Sequence, residues 1–408
     1  MKPTKEWVER ATNVLAQGYP GTNSKRWTHF IDGVYPSHIV SGERCYLTDA
    51  WGNRYIDFVS GLGVNILGYS HPKVTEAIRD AATKGASHSL PHMLEVQVAE
   101  KIQQLIPAAE RVRFLKTGNE ATLAAVRIAR AATGNDEIAS SGYHGHGDLW
   151  TALTDPHLGV GNKIDLKINS FTSINTLISS ASDMWLKYAA GVILEPVELA
   201  LTDERKAELQ TLIEFSKQKN NLPVIFDEIV TGFRVPNFTV SNYFQIQPHL
   251  ITLGKAIANG MPLAVVAGKK ELMNDSEYFI SSTYSGEILS LASAFATMNE
   301  IERKSLQDLN FYGTKLIKNL NKLHPELKFE GYGTRAQLDV EPLTAQLFMQ
   351  EMCKSGILIG KAFYYNFAHY EEGIDERVMN IATDVIGKIE RGEAKLEGAS
   401  PTQSFKRG

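Results

Sequence analysis

An α/β fold with a largely parallel central sheet is what this sequence predicts, on three observations. From about residue 70 to about 305, short apolar runs alternate with helical stretches. The runs are VRFLK, EIASS, DLKIN, GVILEP, LPVIFDE, HLITLG and LAVVAG, and helices such as NEATLAAVRIARAATG and DERKAELQTLIEFSKQKN lie between them. Unbroken apolar strands are those buried on both faces, which places them in a parallel sheet covered by helices. The second observation is length: 408 residues are too many for one ordinary core, which implies two domains. The third is composition, 43% hydrophobic and 22% charged, that of a soluble globular protein.

Taken in chain order, residues 1–36 are irregular, with one amphipathic helix around Thr4–Ala16 and then an extended arm. CYLTDAWGNRYIDF (45–58) alternates and turns at Trp51-Gly52-Asn53, the signature of a β-hairpin. We assign residues 1–69, arm and hairpin, to a small domain and residues 70–305 to a large one. Residues 306–408 are helix-rich with weaker strands such as LKFEG; they complete the small domain and end in a polar tail, GEAKLEGASPTQSFKRG. GLGVNILG (61–68) lacks the G-x-G-x-x-G spacing and carries no weight for dinucleotide binding.

Charge and cysteine content exclude several classes. Net charge is −4, from 42 basic and 46 acidic side chains, with no basic run. Nothing points to nucleic acid or an anionic membrane. No apolar stretch reaches the roughly 18 residues of a spanning helix. The first 21 residues lack an apolar signal core. Cys45 and Cys353, far apart in sequence, suit free thiols in a reducing compartment. The expected location is the cytoplasm.

Three stretches place chemistry at strand ends. In FLKTGNEATLAAVRIARAATG (114–134) an apolar strand runs into Thr117-Gly118-Asn119 and a long helix follows at once. Such a turn is either a capped helix start or an anion cup, in which backbone N–H groups and the helix dipole converge on a phosphate. In LPVIFDEIVTGFR (222–234) the strand ends in Asp227-Glu228. Ligands of open α/β sheets bind at the carboxyl ends of strands, where an acid can hold a heterocyclic nitrogen protonated; the alternative is a capping or surface acid. In HLITLGKAIANGMPLAVVAG (249–268), Lys255 lies among small and apolar residues. Partial desolvation there lowers the amine's pKa and frees it as a nucleophile toward an aldehyde.

GYHGHGDLW (142–150) has two readings. On an extended strand, His144, His146 and Asp148 would share one face and suit a metal. As a loop, the stretch offers the flat face of Tyr143 to a planar cofactor. The metal reading lacks a second half: His249 sits at the wrong end of its strand, His157 lies in a Pro-Gly loop, and His324 and His369 fall outside the sheet-rich region. The aromatic reading sets Tyr143 at the same sheet edge as Gly118, Asp227 and Lys255, and no metal site is assigned.

Together, YLTDAWGNRYIDF, LGYSHPKVTEAI, KTGNEATLAAVRIARAATG, GYHGHGD, ILEPVE, FDEIVTGFR, LGKAIANGMPLA and STYSGEILSLA resemble, in order, the class III aminotransferases. These are fold-type I enzymes that use pyridoxal 5′-phosphate (PLP); the chain looks most like the glutamate-1-semialdehyde 2,1-aminomutase branch. The resemblance implies a large PLP-binding domain with a mainly parallel sheet and a smaller α+β domain formed by the N- and C-terminal parts. It implies that Lys255 holds PLP as a Schiff base and that Asp227 pairs with the ring nitrogen. Gly118 and Asn119, with Thr117 beside them, match the phosphate turn. Tyr143 matches the aromatic that stacks on the ring, with His144 its neighbour. Thr283 matches a threonine reaching the phosphate from the other subunit of a homodimer with shared sites. Glu195 and Arg26 match positions on the substrate side. The chain departs from the family pattern at Glu287-Ile288, where Asn-Pro is usual, and at Asn119, where Thr or Ser is usual.

The activity this implies is amino transfer between an amino donor and a carbonyl acceptor, both small molecules. Alternatives on the same cofactor are an internal 2,1-amino shift, decarboxylation or epimerisation. A metal-dependent hydrolase is the remote alternative.

Overall fold

The computed structural model describes residues 5–16, 30–31, 33–155, 159–181, 183–274, 278–399 and 406–407. It divides into two compact units, residues 1–71 with 308–404, and residues 72–307 with 405–408.

The second unit is built on a seven-stranded sheet. Its spatial order is Arg111–Leu115, Ala264–Gly268, Leu250–Leu253, Val224–Glu228, Ala189–Leu194, Glu137–Ser141 and Ile168–Ser170. Only Ala264–Gly268 runs antiparallel to its neighbours; the remaining pairs are parallel. All six residues of Ala189–Leu194 and all five of Val224–Glu228 are buried, as strands covered on both faces require. One cover is the helix Gly118–Thr133, which buries Ala121, Ala124, Ala125, Ile128 and Ala129. The small side chains of that stripe let the helix lie close against the sheet, and it stops at Gly134, whose φ of +68° suits the left-handed C-terminal position.

The register sets the site. Thr252 pairs with Asp227, Phe226 with Leu194, Leu194 with Ser141, and Leu115 with Ala264. The residues that follow these parallel strands therefore emerge at one carboxyl edge: Lys116-Thr117-Gly118, Gly142-Tyr143-His144, Glu195, Asp227 and Gly254-Lys255. This is the edge at which open α/β sheets bind ligands.

In the first unit, Tyr46–Asp49 and Arg54–Asp57 form the expected hairpin. The Asp49 carboxylate accepts from the N–H groups of Trp51 and Asn53, both at 2.9 Å, and closes the turn. Ile39–Glu43 and Ile357–Leu358 flank the hairpin in a four-stranded sheet, and Phe329–Tyr332, Arg335–Leu338 and Ala362–Phe363 make a second, three-stranded one. Cys45 and Cys353 are both buried. In the polar tail, the Lys395 carbonyl and the Glu397 N–H bond the Gln350 side chain, and Lys406–Arg407 pairs with Thr154–Asp155. Among the described residues no helix is long and apolar enough to cross a membrane.

Candidate active site

Asp227 is the centre of the carboxyl edge and is 3% exposed. Its Oδ2 lies 2.7 Å from His144 Nδ1, and its Oδ1 accepts from Thr252 Oγ1 at 3.0 Å and Ile229 N–H at 3.1 Å. An ionised carboxylate has about four lone-pair sites, so three bonds leave one for another N–H donor. Glu228, next along the strand, faces the other way. It accepts from Val240 N–H, Ser241 N–H and Thr231 Oγ1, and burial pushes its carboxyl up to about 7. Of the two acids, Asp227 serves the edge where His144 lies and Glu228 ties down the chain between 231 and 241.

GYHGHGDLW is a loop. Gly142 and Gly145 have φ of +113° and +131°, and a short helix starts at Asp148. His144 is buried while His146 and Asp148 are exposed, so the extended geometry that would put all three on one face does not form. His144 packs edge-on against Trp150 at 5.0 Å, and Thr122 Oγ1 donates to the His144 carbonyl at 2.7 Å. Among the described residues, the buried His144 Nε2 has no hydrogen-bond partner. Tyr143, 39% exposed, is placed by its own N–H, which donates to Glu195 Oε1 at 2.7 Å. Glu195 was read from sequence as a substrate-side acid; one of its oxygens is engaged on this loop.

The turn after Arg111–Leu115 is a capped helix start with both halves of a capping box: Thr117 Oγ1 accepts from Glu120 N–H, and Glu120 accepts from Thr117 N–H. The first intrahelical bond is Ala121 N–H to the Thr117 carbonyl. The Gly118 and Asn119 N–H groups therefore have no acceptor within the helix and point outward at its positive end. The cap occupies Glu120 N–H and leaves the two preceding donors, so a capped start is compatible with an anion cup at this turn. A Cβ on Gly118 would meet Ile229 at 3.0 Å. Asn119 is committed by one atom, since Oδ1 accepts from His146 N–H at 3.1 Å and Gly147 N–H at 2.8 Å. Sequence reading missed this tie between the turn and the aromatic loop, and only the excess of glycines around His146 hinted at it. It makes a prediction. A Cβ on Gly145 would sit 2.4 Å from Asn119 Oδ1, at a φ that L-residues rarely adopt. Gly145→Ala is expected to cost about 1–3 kcal/mol, read as a lowered midpoint in thermal unfolding; an unchanged midpoint would show that the loop is not held as described.

Lys255 follows Gly254 at the end of Leu250–Leu253 and opens a short 3₁₀ turn, Lys255–Ala258. Its φ of +43° is left-handed, uncommon for a residue with a Cβ. Its neighbours Ala256, Ile257 and Ala258 are fully buried. Thr283 is exposed, in a turn closed by Ser285 N–H to the Ser282 carbonyl, and Ser282 Oγ donates to Glu120 Oε1 of the capped turn at 3.5 Å. Arg26 lies outside the described residues. Lys255, Asp227, His144, Tyr143, Glu195 and the 117–119 turn thus share the edge of one sheet.

These groups fit a phosphorylated pyridine. Asp227 has an acceptor position for a ring N–H, the 118–119 N–H groups suit a phosphate, and the small cross-section of Gly118 and Gly254 lets the backbone come close, with Ile229 packed 3.0 Å from where either Cβ would be. The family model for class-III aminotransferases matches residues 32–363. Glutamate-1-semialdehyde 2,1-aminomutase of Methanothermobacter thermautotrophicus is 31% identical over 347 residues, covering 80% of both chains. The enzyme of the same name from Legionella pneumophila (strain Lens) is 36% identical over 308 residues, 71% of this chain and 72% of that one. Among solved structures, the PLP internal aldimine form of Sphingopyxis sp. MTA144 FumI protein superposes with a TM-score of 0.87 at 22% identity, covering 97% of this chain and 98% of that one. A transaminase with PLP bound gives 0.81 at 24% identity, over 95% and 97%.

Proposed function

We propose that this chain, which belongs to the class-III aminotransferase family and is a PLP-dependent enzyme of fold type I, moves an amino group between a small amino compound and a small carbonyl compound by way of Lys255. The observation that supports this reading best is the gathering of Lys255, Asp227 with His144, Tyr143 and the 117–119 turn at one strand edge. The site lies in the part we read as the large domain, residues 70–305; the flanking parts, 1–69 and 306–408, are read as the small one.

In this reading Lys255 would hold the cofactor through its Nζ. Once released, it takes the proton from the amine-bearing carbon of the substrate and returns it nearby. Bound PLP supplies a protonated ring that accepts the electron pair left on that carbon. Asp227 keeps the ring nitrogen protonated, and His144 and Thr252 hold Asp227 in place. Tyr143 covers a ring face, and Gly118, Asn119 and Thr117 hold the phosphate. Glu195 stands on the substrate side, the role that the family resemblance also gives to Arg26. An internal 2,1-amino shift is the second reading, favoured by the aminomutases at 31–36% identity. The test is a spectral screen of purified holoenzyme against amino acids, amino sugars and phosphorylated amines. A donor that bleaches the bound cofactor and releases a carbonyl product supports transfer. Conversion of a single substrate to its isomer, with no product released from a donor alone, supports the shift. No spectral response to any amine would sink both.

We also read the enzyme as a homodimer in the cytoplasm, with Thr283 reaching the phosphate of the neighbouring site. In support, Thr283 is exposed, and large apolar side chains flank its turn in solvent: Tyr284 is 61% exposed, Phe279 79% and Val96 59%. A two-fold interface is self-complementary, so each chain gives and receives that contact. Mixing Lys255→Ala chains with Thr283→Ala chains is expected to raise activity above either parent, because one site of each heterodimer then carries neither defect. No gain after verified subunit exchange would rule the shared site out.

A further inference from the structure

We propose that the ion pair Lys116–Glu287 is a positioning clamp for the phosphate turn, holding it in register with the turn that carries Thr283 and with the chain that follows Lys255. This rests on the reading of 117–119 as a phosphate site. Lys116 is the residue immediately before that turn. Its Nζ lies 2.6 Å from Glu287 Oε1, and the two side chains are only 13% and 11% exposed. The same ammonium donates to the Pro262 carbonyl at 3.1 Å, in the segment after the Lys255–Ala258 turn. Glu287 in turn ends the 282–287 turn and caps the helix Ile288–Glu302, accepting from Leu289 N–H at 2.7 Å and Ser290 N–H at 3.1 Å. One buried pair therefore joins three segments that are far apart in sequence. Burial acts to raise the Glu287 carboxyl, but the bonds from Lys116 and Ser290 outweigh it and hold the carboxyl below its ordinary range. The bridge is ionic.

Its neighbour Glu120 reinforces the same register. Glu120 Oε2 accepts from the N–H groups of Lys116 at 2.9 Å and Thr117 at 2.8 Å, so the backbone and the side chain of Lys116 are each held by a different acid. A lysine fixed at both ends cannot swing toward a phosphate. The pair is also neutral overall, so it positions the turn without adding net charge beside it. Phosphate binding is then left to the outward N–H groups of Gly118 and Asn119, whose aim depends on how the turn is held.

The experiment uses three variants: Lys116→Met, Glu287→Gln and the double variant. Each single change leaves one charge buried without its partner, which costs far more than removing both. The singles are expected to unfold at lower temperature, and the double variant to recover most of that loss. Affinity for the cofactor separates clamping from mere stability. In the double variant the dissociation constant for PLP should rise about tenfold, roughly the effect of one lost hydrogen bond to a charged group. That for pyridoxal, which lacks the phosphate, should stay within about twofold on the same scale. Lys116→Arg, which keeps the pair, should bind PLP like the wild type. A double variant with wild-type PLP affinity, or one that loses PLP and pyridoxal equally, overturns the clamp. A wild-type protein that binds pyridoxal and PLP alike, or neither, overturns the phosphate-site reading, and the clamp falls with it.

Discussion

Lys255→Ala is expected to remove turnover by on the order of 10³-fold or more, the scale of a lost acid–base group that acts on the reacting carbon, and to remove covalent cofactor attachment altogether. Leu250–Leu253 is a fully buried strand, and the chain turns so sharply beyond it that Lys255 takes a φ of +43°. A residue with a Cβ pays for that conformation, and such strain persists where the surroundings fix it. Here they do: Ala256, Ile257 and Ala258 are fully buried, and a Cβ on Gly254 would press on Ile229. The lysine is thus presented at the sheet edge by a turn that has little freedom to move. Borohydride treatment of wild-type protein should fix PLP to the peptide containing Lys255, and the alanine variant should take no label. A label on a different lysine, or an active variant, would refute the assignment.

How much of this was legible in the sequence depends on the range of the interaction. The parallel strands were legible because burial on both faces leaves an unbroken apolar run, and Ala189–Leu194 and Val224–Glu228 are buried along their whole length. The hairpin was legible because Asp49, Trp51, Gly52 and Asn53 close their turn among themselves. The edge of the sheet on which Lys255 and Asp227 emerge followed from topology alone. What was not legible is which side chains meet there. His144 and Asp227 lie 83 residues apart, and nothing local in GYHGHGDLW selects Asp227 over any other acid. The i, i+2, i+4 spacing of His144, His146 and Asp148 suggested a shared face, but positive φ at Gly142 and Gly145 breaks the alternation. Asn119 and Glu195 were read by position as facing ligand, yet each spends an oxygen on the aromatic loop. Lys116 and Glu287 are separated by 171 residues. Nothing local in either stretch marks one as the partner of the other.

Asp227→Asn is the second large effect, expected to lower turnover on the order of 10²-fold or more while leaving much of the cofactor bound, as for other preorganised charges in dry sites. The substitution is nearly isosteric, and most of the local structure survives it. A carboxamide oxygen can still accept from Thr252 Oγ1 and Ile229 N–H, as Oδ1 does now at 3.0 and 3.1 Å. The amide N–H₂ then faces His144 Nδ1, now 2.7 Å from Oδ2, and the bond persists if the imidazole presents a lone pair there, as one of its two neutral tautomers does. What the amide cannot supply is negative charge. Within a site only 3% exposed at Asp227, the missing charge is not made good by water, so a ring nitrogen beside it loses its proton and the ring holds the substrate's electron pair less well. Steady-state turnover with the donor found in the spectral screen measures the effect. A second variant separates charge from geometry. Asp227→Ala opens space at the same place, and a PLP analogue methylated on the ring nitrogen carries its positive charge without help. That analogue should restore part of the activity of Asp227→Ala and do little for the wild type, where the carboxylate already occupies the position. Near-normal turnover of Asp227→Asn with ordinary PLP would show that Asp227 is not the partner of the ring nitrogen, and its bonds to His144 and Thr252 would then serve the loop alone.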